Sequence, residues 1–212
     1  MKWMFYTFVV SLILTGCAHH AAEFGNPQAL NENLSRQQRL QQLVELNHWN
    51  MRGLVGLMNG KQAWSAPFSW QQRGEEFKIQ LYGPIAGGAL NIIGKPGHVV
   101  LADTDHVKIF AHSGDELLIP ETDLKIPVES IYYWIKAIAI PKIAADKKYD
   151  PYHHLIELSQ LGWHIKYLDY RSDKGIDLPS KIVISNTPIN IKILINRWQI
   201  LQQNHKKNLH HI

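Results

Sequence analysis

Apolar positions along this chain change from a helical to a two-residue period at Trp49. Before that point, Leu40, Leu43, Val44 and Leu46 form one stripe on a helix predicted over Arg36 to Asn47, with Ser35 as its N-cap. After it, the spacing predicts a strand over Met51–Met58, a hairpin turn at Asn59-Gly60 and a partner strand over Gln62–Gln72. Glu76–Tyr82 and Ala89–Ile93 form a second hairpin across a Gly/Pro loop, and Lys95-Pro96-Gly97 turns the chain into His98–Ala102. Asp103-Thr104-Asp105 turns it again into His106–Ala111. Phe77, Ile79 and Leu81 alternate with Glu76, Lys78 and Gln80, so this meander has one wet face and one dry face.

The middle of the chain breaks the alternation. A short helix is expected over Ser113 to Ile119, and Pro127 opens a second through Val128, Ile131, Tyr132, Trp134, Ile135 and Ile138. That second helix is apolar on more than one side and is expected to run until Pro141, followed by a polar loop over residues 142–151 that carries Lys142, Lys147 and Lys148. Strands return at Tyr152–Leu158, Trp163–Tyr170, Lys181–Asn186 and Asn190–Trp198, the last placing Ile189, Ile191, Ile193 and Ile195 on one face. The fold class is mainly β. About ten or eleven strands with few helices predict a strongly curved antiparallel sheet, an incomplete barrel, with residues 113–140 placed to plug its opening. The pattern leaves open whether the interior is a solid core or a cavity.

The first residues follow a different logic. Lys2 gives a positive start, Trp3 to Ile13 an apolar run too short to span a bilayer, and Leu14-Thr15-Gly16-Cys17 a small-residue ending. That ending resembles a bacterial lipobox, which implies acylation of Cys17, the only cysteine in the chain, and a place in the bacterial envelope. Ala18, where lipoproteins retained at the inner membrane commonly carry aspartate, implies passage to the outer membrane, facing the periplasm. The organisation expected is a signal peptide over residues 1–16, a lipid-anchored tether over 17–34, one domain over 35–201 and a polar tail over 202–212.

Composition narrows the function classes. Hydrophobic residues make up 45% of the chain and seven are tryptophan, enough for one sizeable core. The formal charge is +4, and about +3 once Lys2 is removed with the signal. This mild basicity suits an acidic surface or anionic lipid, and no nucleic-acid-binding motif accompanies it. The pairs His153-His154 and His210-His211 are adjacent residues, which point to opposite faces on a strand, so no metal site is expected. Neither Gly-x-Ser-x-Gly nor His-Glu-x-x-His occurs, and no enzymatic activity and no cofactor are expected.

A set of short motifs runs through the mature part: Trp49-Asn50-Met51-Arg52-Gly53, Phe68-Ser69-Trp70-Gln71-Gln72, Gly83-Pro84-Ile85-Ala86-Gly87-Gly88 and Gly94-Lys95-Pro96-Gly97. Ile126-Pro127-Val128, Tyr133-Trp134-Ile135, Gly162-Trp163 and Asn196-Arg197-Trp198 follow. In order and spacing they resemble the LolB family of outer-membrane receptors that accept lipoproteins from a periplasmic carrier. Two departures are Ile85 and Ala86 where the family loop usually has leucine and glycine, and Ala137 near a position where glycine is frequent. Both alanines restrict the backbone more than glycine does.

The resemblance implies an open antiparallel half-barrel with a helical lid over an apolar cavity. It implies as partners a LolA-like periplasmic carrier, acylated lipoprotein cargo and outer-membrane lipid, with the receptor a monomer. A container is physically required: about forty to fifty methylene groups on a triacylated protein, at roughly 0.8 kcal/mol each, make free passage through water cost on the order of 35 kcal/mol. The loop Pro84, Ile85, Ala86 and Gly87 becomes a membrane-insertion candidate through its exposed aliphatic tip, with Ile85 folded back onto the core as the alternative. Trp70, Ile79, Leu81, Leu90, Ile92, Trp134, Ile135 and Ile138 are the acyl-chain cavity candidates, against simple core packing. Arg52 is a candidate for gating the lid, against an ordinary surface cation, and Trp49, Trp163 and Trp198 are expected to close the ends of the sheet. The competing functions are a lipid-anchored binding protein for another apolar ligand, such as free lipid, and a scaffold with a solid core.

Overall fold

The computed structural model describes residues 30–83, 88–95, 97–103, 108–111, 117–119 and 124–201. Helix α1 (Arg36–Glu45) begins at a capping box: the Ser35 hydroxyl accepts from the Gln38 amide while the Gln38 side chain reaches back to the Ser35 amide. The strands that follow are β1 (His48–Asn59), β2 (Gln62–Arg73), β3 (Glu76–Gly83), β4 (Gly88–Lys95), β5 (His98–Asp103) and β6 (Lys108–Ala111). Strands β7 (Leu117–Ile119) and β8 (Leu124–Ile126) precede helix α2 (Val128–Trp134), and β9 (Asp146–Tyr149), β10 (Leu155–Gln160), β11 (Trp163–Asp173), β12 (Ile176–Asn186) and β13 (Ile189–Ile200) follow it.

Eleven strands form one open antiparallel sheet in the order β6-β5-β4-β3-β2-β1-β13-β12-β11-β10-β9, and β7 pairs with β8 in a separate ribbon. Two meanders, one N-terminal and one C-terminal, thus meet at a single seam between β1 and β13. Among the described residues their edges, β6 and β9, do not pair with each other, which leaves a half-barrel rather than a closed one. At the seam Arg52 opposes Arg197 while Gly53 opposes Ile195, so Asn196 is an extra residue, a bulge. The bulge shifts the phase of β13: Ile191, Ile193 and Ile195 point inward before it, Trp198 and Ile200 after it. Gly53 is required there, because a Cβ on it would lie 2.0 Å from the Leu194 carbonyl oxygen.

The core lies on the concave side. Trp49 packs against Trp70 and Trp198 with ring centroids 5.4 and 5.0 Å apart, at the end of the sheet where β1 begins. Trp163 packs against Trp134 of α2 at 6.1 Å.

Four local expectations are corrected. Leu117–Ile119 is a strand, not the end of a helix; its three apolar residues find partners in Leu124–Ile126, and 112–116 lie outside the described residues. Helix α2 stops at Trp134, well before Pro141, because Ala137 takes a left-handed conformation at φ 57° and the Ile138 amide bonds the Tyr133 carbonyl at 3.1 Å. Residues 146–149 form the edge strand β9 within the expected polar loop. An edge strand needs no apolar alternation, and its Lys147 and Lys148 suit an exposed edge. The hairpin after β1 is also displaced by one residue: Asn59 pairs with Gln62, and Gly60, at φ 59°, opens the two-residue loop.

Candidate functional site

Inward-facing side chains of the central strands enclose a cavity of about 100 Å³. Its walls come from Met51, Val55 and Leu57 on β1, Trp64, Phe68 and Trp70 on β2, Ile79 and Leu81 on β3, Ile92 on β4, and Ile191 and Ile193 on β13. The roof is α2, through Val128 and Ile131, with Ile135 just past its end. Among the described residues no polar side chain lines it, so the cavity disfavours any ligand that must keep hydrogen bonds with water.

Two sets of polar contacts fix the roof. At its start, the Glu129 carboxylate accepts from the Gly97 amide at 2.9 Å, tying α2 to the β4–β5 turn. At its end, the Tyr167 hydroxyl donates to the Trp134 carbonyl at 2.9 Å and the Trp134 indole donates to the Gln160 side chain at 3.2 Å. Gln160 also accepts from the Ile140 amide and donates to the carbonyls of Ile140 and Ile143, so a single buried amide organises the turn behind the lid. Lys136, beyond the last turn of α2, is buried with Nζ 3.1 Å from the Leu46 carbonyl at the C-terminal end of α1.

A polar cluster lies outside the cavity, where α1 docks on β12. Arg39 and Asp177 form a buried ion pair at 2.6 Å, and Asp177 also accepts from the Asn31 amide at 2.9 Å. The His154 ring lies between carboxylates, 3.0 Å from Asp177 and 2.8 Å from Asp150. Burial opposes the Asp177 charge, but His154, Arg39 and the Asn31 amide outweigh it and hold the carboxyl down to about 2. Burial likewise opposes charge on His154, and its two carboxylate partners reverse the balance and raise its pKa. His154 is thus committed to this junction, while His210 and His211 lie outside the described residues.

Of the eight sequence-derived cavity residues, the structure brings Trp70, Ile79, Leu81, Ile92 and Ile135 together around the cavity. Leu90, Trp134 and Ile138 are buried outside its lining, Trp134 being held by its bonds to Gln160 and Tyr167. Arg52 is exposed between the buried Met51 and Gly53, on the sheet face away from the lid, which removes it from the gating position expected from sequence. Residues 84–87 and Cys17 lie outside the described residues. The lining residues not anticipated include Val128 and Ile131, which share a helical stripe with Ile135 and were legible by spacing. Met51, Val55 and Leu57 follow the alternation of β1, but only the pairing of β1 with β13 brings them beside Ile191 and Ile193.

The family profile described as outer membrane lipoprotein LolB matches residues 47–198. The chain is 34% identical over 193 residues to an outer-membrane lipoprotein LolB of Francisella tularensis subsp. tularensis strain FSC 198, covering 91% of each chain. It is 30% identical over 205 residues to that of Nitrosococcus oceani, covering 94% of this chain and 100% of the other. The crystal structure of a LolA superfamily protein from Nitrosomonas europaea superposes with a TM-score of 0.52 at 7% identity, covering 80% of this chain and 95% of the other, a likeness of fold. On the profile match and the relatives together, the chain belongs to the LolB family of outer-membrane lipoproteins.

Proposed function

We propose that the protein accepts acylated lipoproteins from a LolA-like periplasmic carrier and inserts them into the inner leaflet of the outer membrane, to which it is itself anchored through Cys17. The observation that carries this reading is a wholly apolar cavity roofed by a short helix in a member of this family. Acyl chains gain by leaving water for such a lining at about 0.8 kcal/mol per methylene, so transfer proceeds down an affinity gradient without nucleotide hydrolysis. As it stands the cavity, at about 100 Å³, is smaller than the roughly 300–1,000 Å³ of pockets that hold small ligands. Cargo uptake therefore requires α2 to move off the concave face. In this reading the loop of Pro84, Ile85, Ala86 and Gly87 touches the bilayer, with Ile85 as the apolar tip, and the receptor works as a monomer.

The test is direct. The mature domain with Cys17→Ala is mixed with carrier loaded with labelled acyl-protein, and the location of the label is followed without nucleotide. Label moving onto the domain supports the acceptor role; label staying on a competent carrier rejects it. Stoichiometric phospholipid extracted from the purified domain would instead favour a carrier of free lipid. For the loop, Ile85→Glu is expected to leave uptake intact and to slow delivery to liposomes at least tenfold, since a charge at the tip opposes insertion. Loss of uptake by a folded Ile85→Glu domain would refute this division of labour.

A further inference from the structure

Lys136 is a buried lysine, with 1% of its surface accessible. Its ammonium lies 3.1 Å from the Leu46 carbonyl oxygen of the α1 terminus and 4.1 Å from the centroid of the Tyr132 ring, which belongs to α2 itself. An ammonium carries three N–H donors, and here one carbonyl and one aromatic face stand in for the water that would satisfy all three. No carboxylate pairs with it among the described residues. Such a charge is more comfortable in water than in this site.

We propose that Lys136 is a positioning residue that loads the closed lid against itself, so that the roof of the cavity opens readily for cargo. The proposal rests on the reading of α2 as the lid. Tyr132 and Lys136 lie four residues apart on the same segment, so lifting the helix carries both away from the Leu46 carbonyl and admits water to Nζ. Hydration gained on opening offsets part of the unfavourable exposure of Val128, Ile131 and Ile135 to water. The buried amine has its pKa lowered to about 8 by desolvation, the direction expected of a site that disfavours the charged form. A latch made of a buried ion pair would do the reverse and hold the lid shut.

The sign of the effect separates the two. In the full chain, Lys136→Met keeps the length of the side chain and removes the charge. It is expected to slow hydrogen exchange of the amides of residues 131–138 about tenfold or more, leaving exchange in β10 and β11 unchanged. Lys136→Gln, which keeps a donor for the Leu46 carbonyl, is expected to act in the same direction and serves if the Met variant misfolds. Faster or unchanged exchange in the lid in the folded variant would overturn the proposal, by showing Lys136 to be a latch or a bystander. The exchange readout needs no cargo, so its failure is distinct from failure of the acceptor function. In the transfer experiment Lys136→Met should also take up labelled acyl-protein more slowly than the native chain.

Discussion

At the scale of single residues, Ala137 shows how a departure from a familiar motif is accommodated. It occupies the left-handed position that ends α2 in a Schellman-type turn, with the Ala137 amide bonded to the Trp134 carbonyl at 3.0 Å and the Ile138 amide to Tyr133. Glycine takes this conformation freely; an L side chain there costs roughly 1–2 kcal/mol, partly offset by the lower entropy of alanine in the unfolded chain. Ala137→Gly is therefore expected to raise stability by about 0.5–1 kcal/mol, measured by urea unfolding. A fall in stability would mean that packing of the buried methyl outweighs the backbone strain. The residue was visible in the sequence as a missing glycine, whereas the consequence, a helix that stops seven residues before Pro141, needed the backbone conformation.

At the scale of elements, α1 is held to β12 by charges rather than by its apolar stripe alone. Leu43 is buried, while Leu40 and Val44 of the same stripe are exposed. Arg39 lies four residues before Leu43 and shares its face, but the periodicity could not show that it would be buried against Asp177 and joined there by His154. Hydrogen-bonded ion pairs form across 138 and 23 residues of sequence, and no local pattern encodes such distances. The cluster predicts a pH dependence with two limbs. His154 has a raised pKa, so its contribution is complete below the unfolded value of 6.5 and is lost as pH rises through the folded one. Asp177 is lowered from 3.8 to about 2, so its contribution is complete above 3.8 and disappears as pH falls through 2, a loss of about 2 kcal/mol. Urea midpoints should fall between pH 6 and pH 8 in the native chain and less steeply in His154→Asn. Folded Lys136, its pKa lowered to about 8, contributes in the opposite sense as the pH approaches 8, but does so in both proteins, so the difference between their slopes reports His154. Equal slopes in the two proteins would remove His154 from the alkaline limb.

At the scale of the whole molecule, the half-barrel depends on one seam. Strands β1 and β13 join the two meanders, and the cavity is lined from both sides of that junction. Gly53 lies where the seam is bulged, with the Leu194 carbonyl 2.0 Å and the Phe68 ring 3.0 Å from any Cβ added to it. Gly53→Ala must push the strands apart, and a destabilisation of about 3 kcal/mol or more is expected in urea unfolding, since the obstruction is backbone rather than a flexible side chain. An unchanged midpoint would show that the bulge can absorb a methyl group. The sequence by itself determined the alternation of the strands, the apolar character of α2, most of the turns and the family to which their order belongs. These are local properties: side-chain period follows directly from backbone geometry, and turn residues act on their own dihedral angles. Only the tertiary structure decided which strands meet at the seam, which five of the eight candidate residues reach the cavity, that Arg52 faces away from it, and that Lys136 is buried against the end of α1. Each of those depends on surfaces that become neighbours only when the sheet curves, so burial and desolvation are set by the fold and not by the residue's place in the chain.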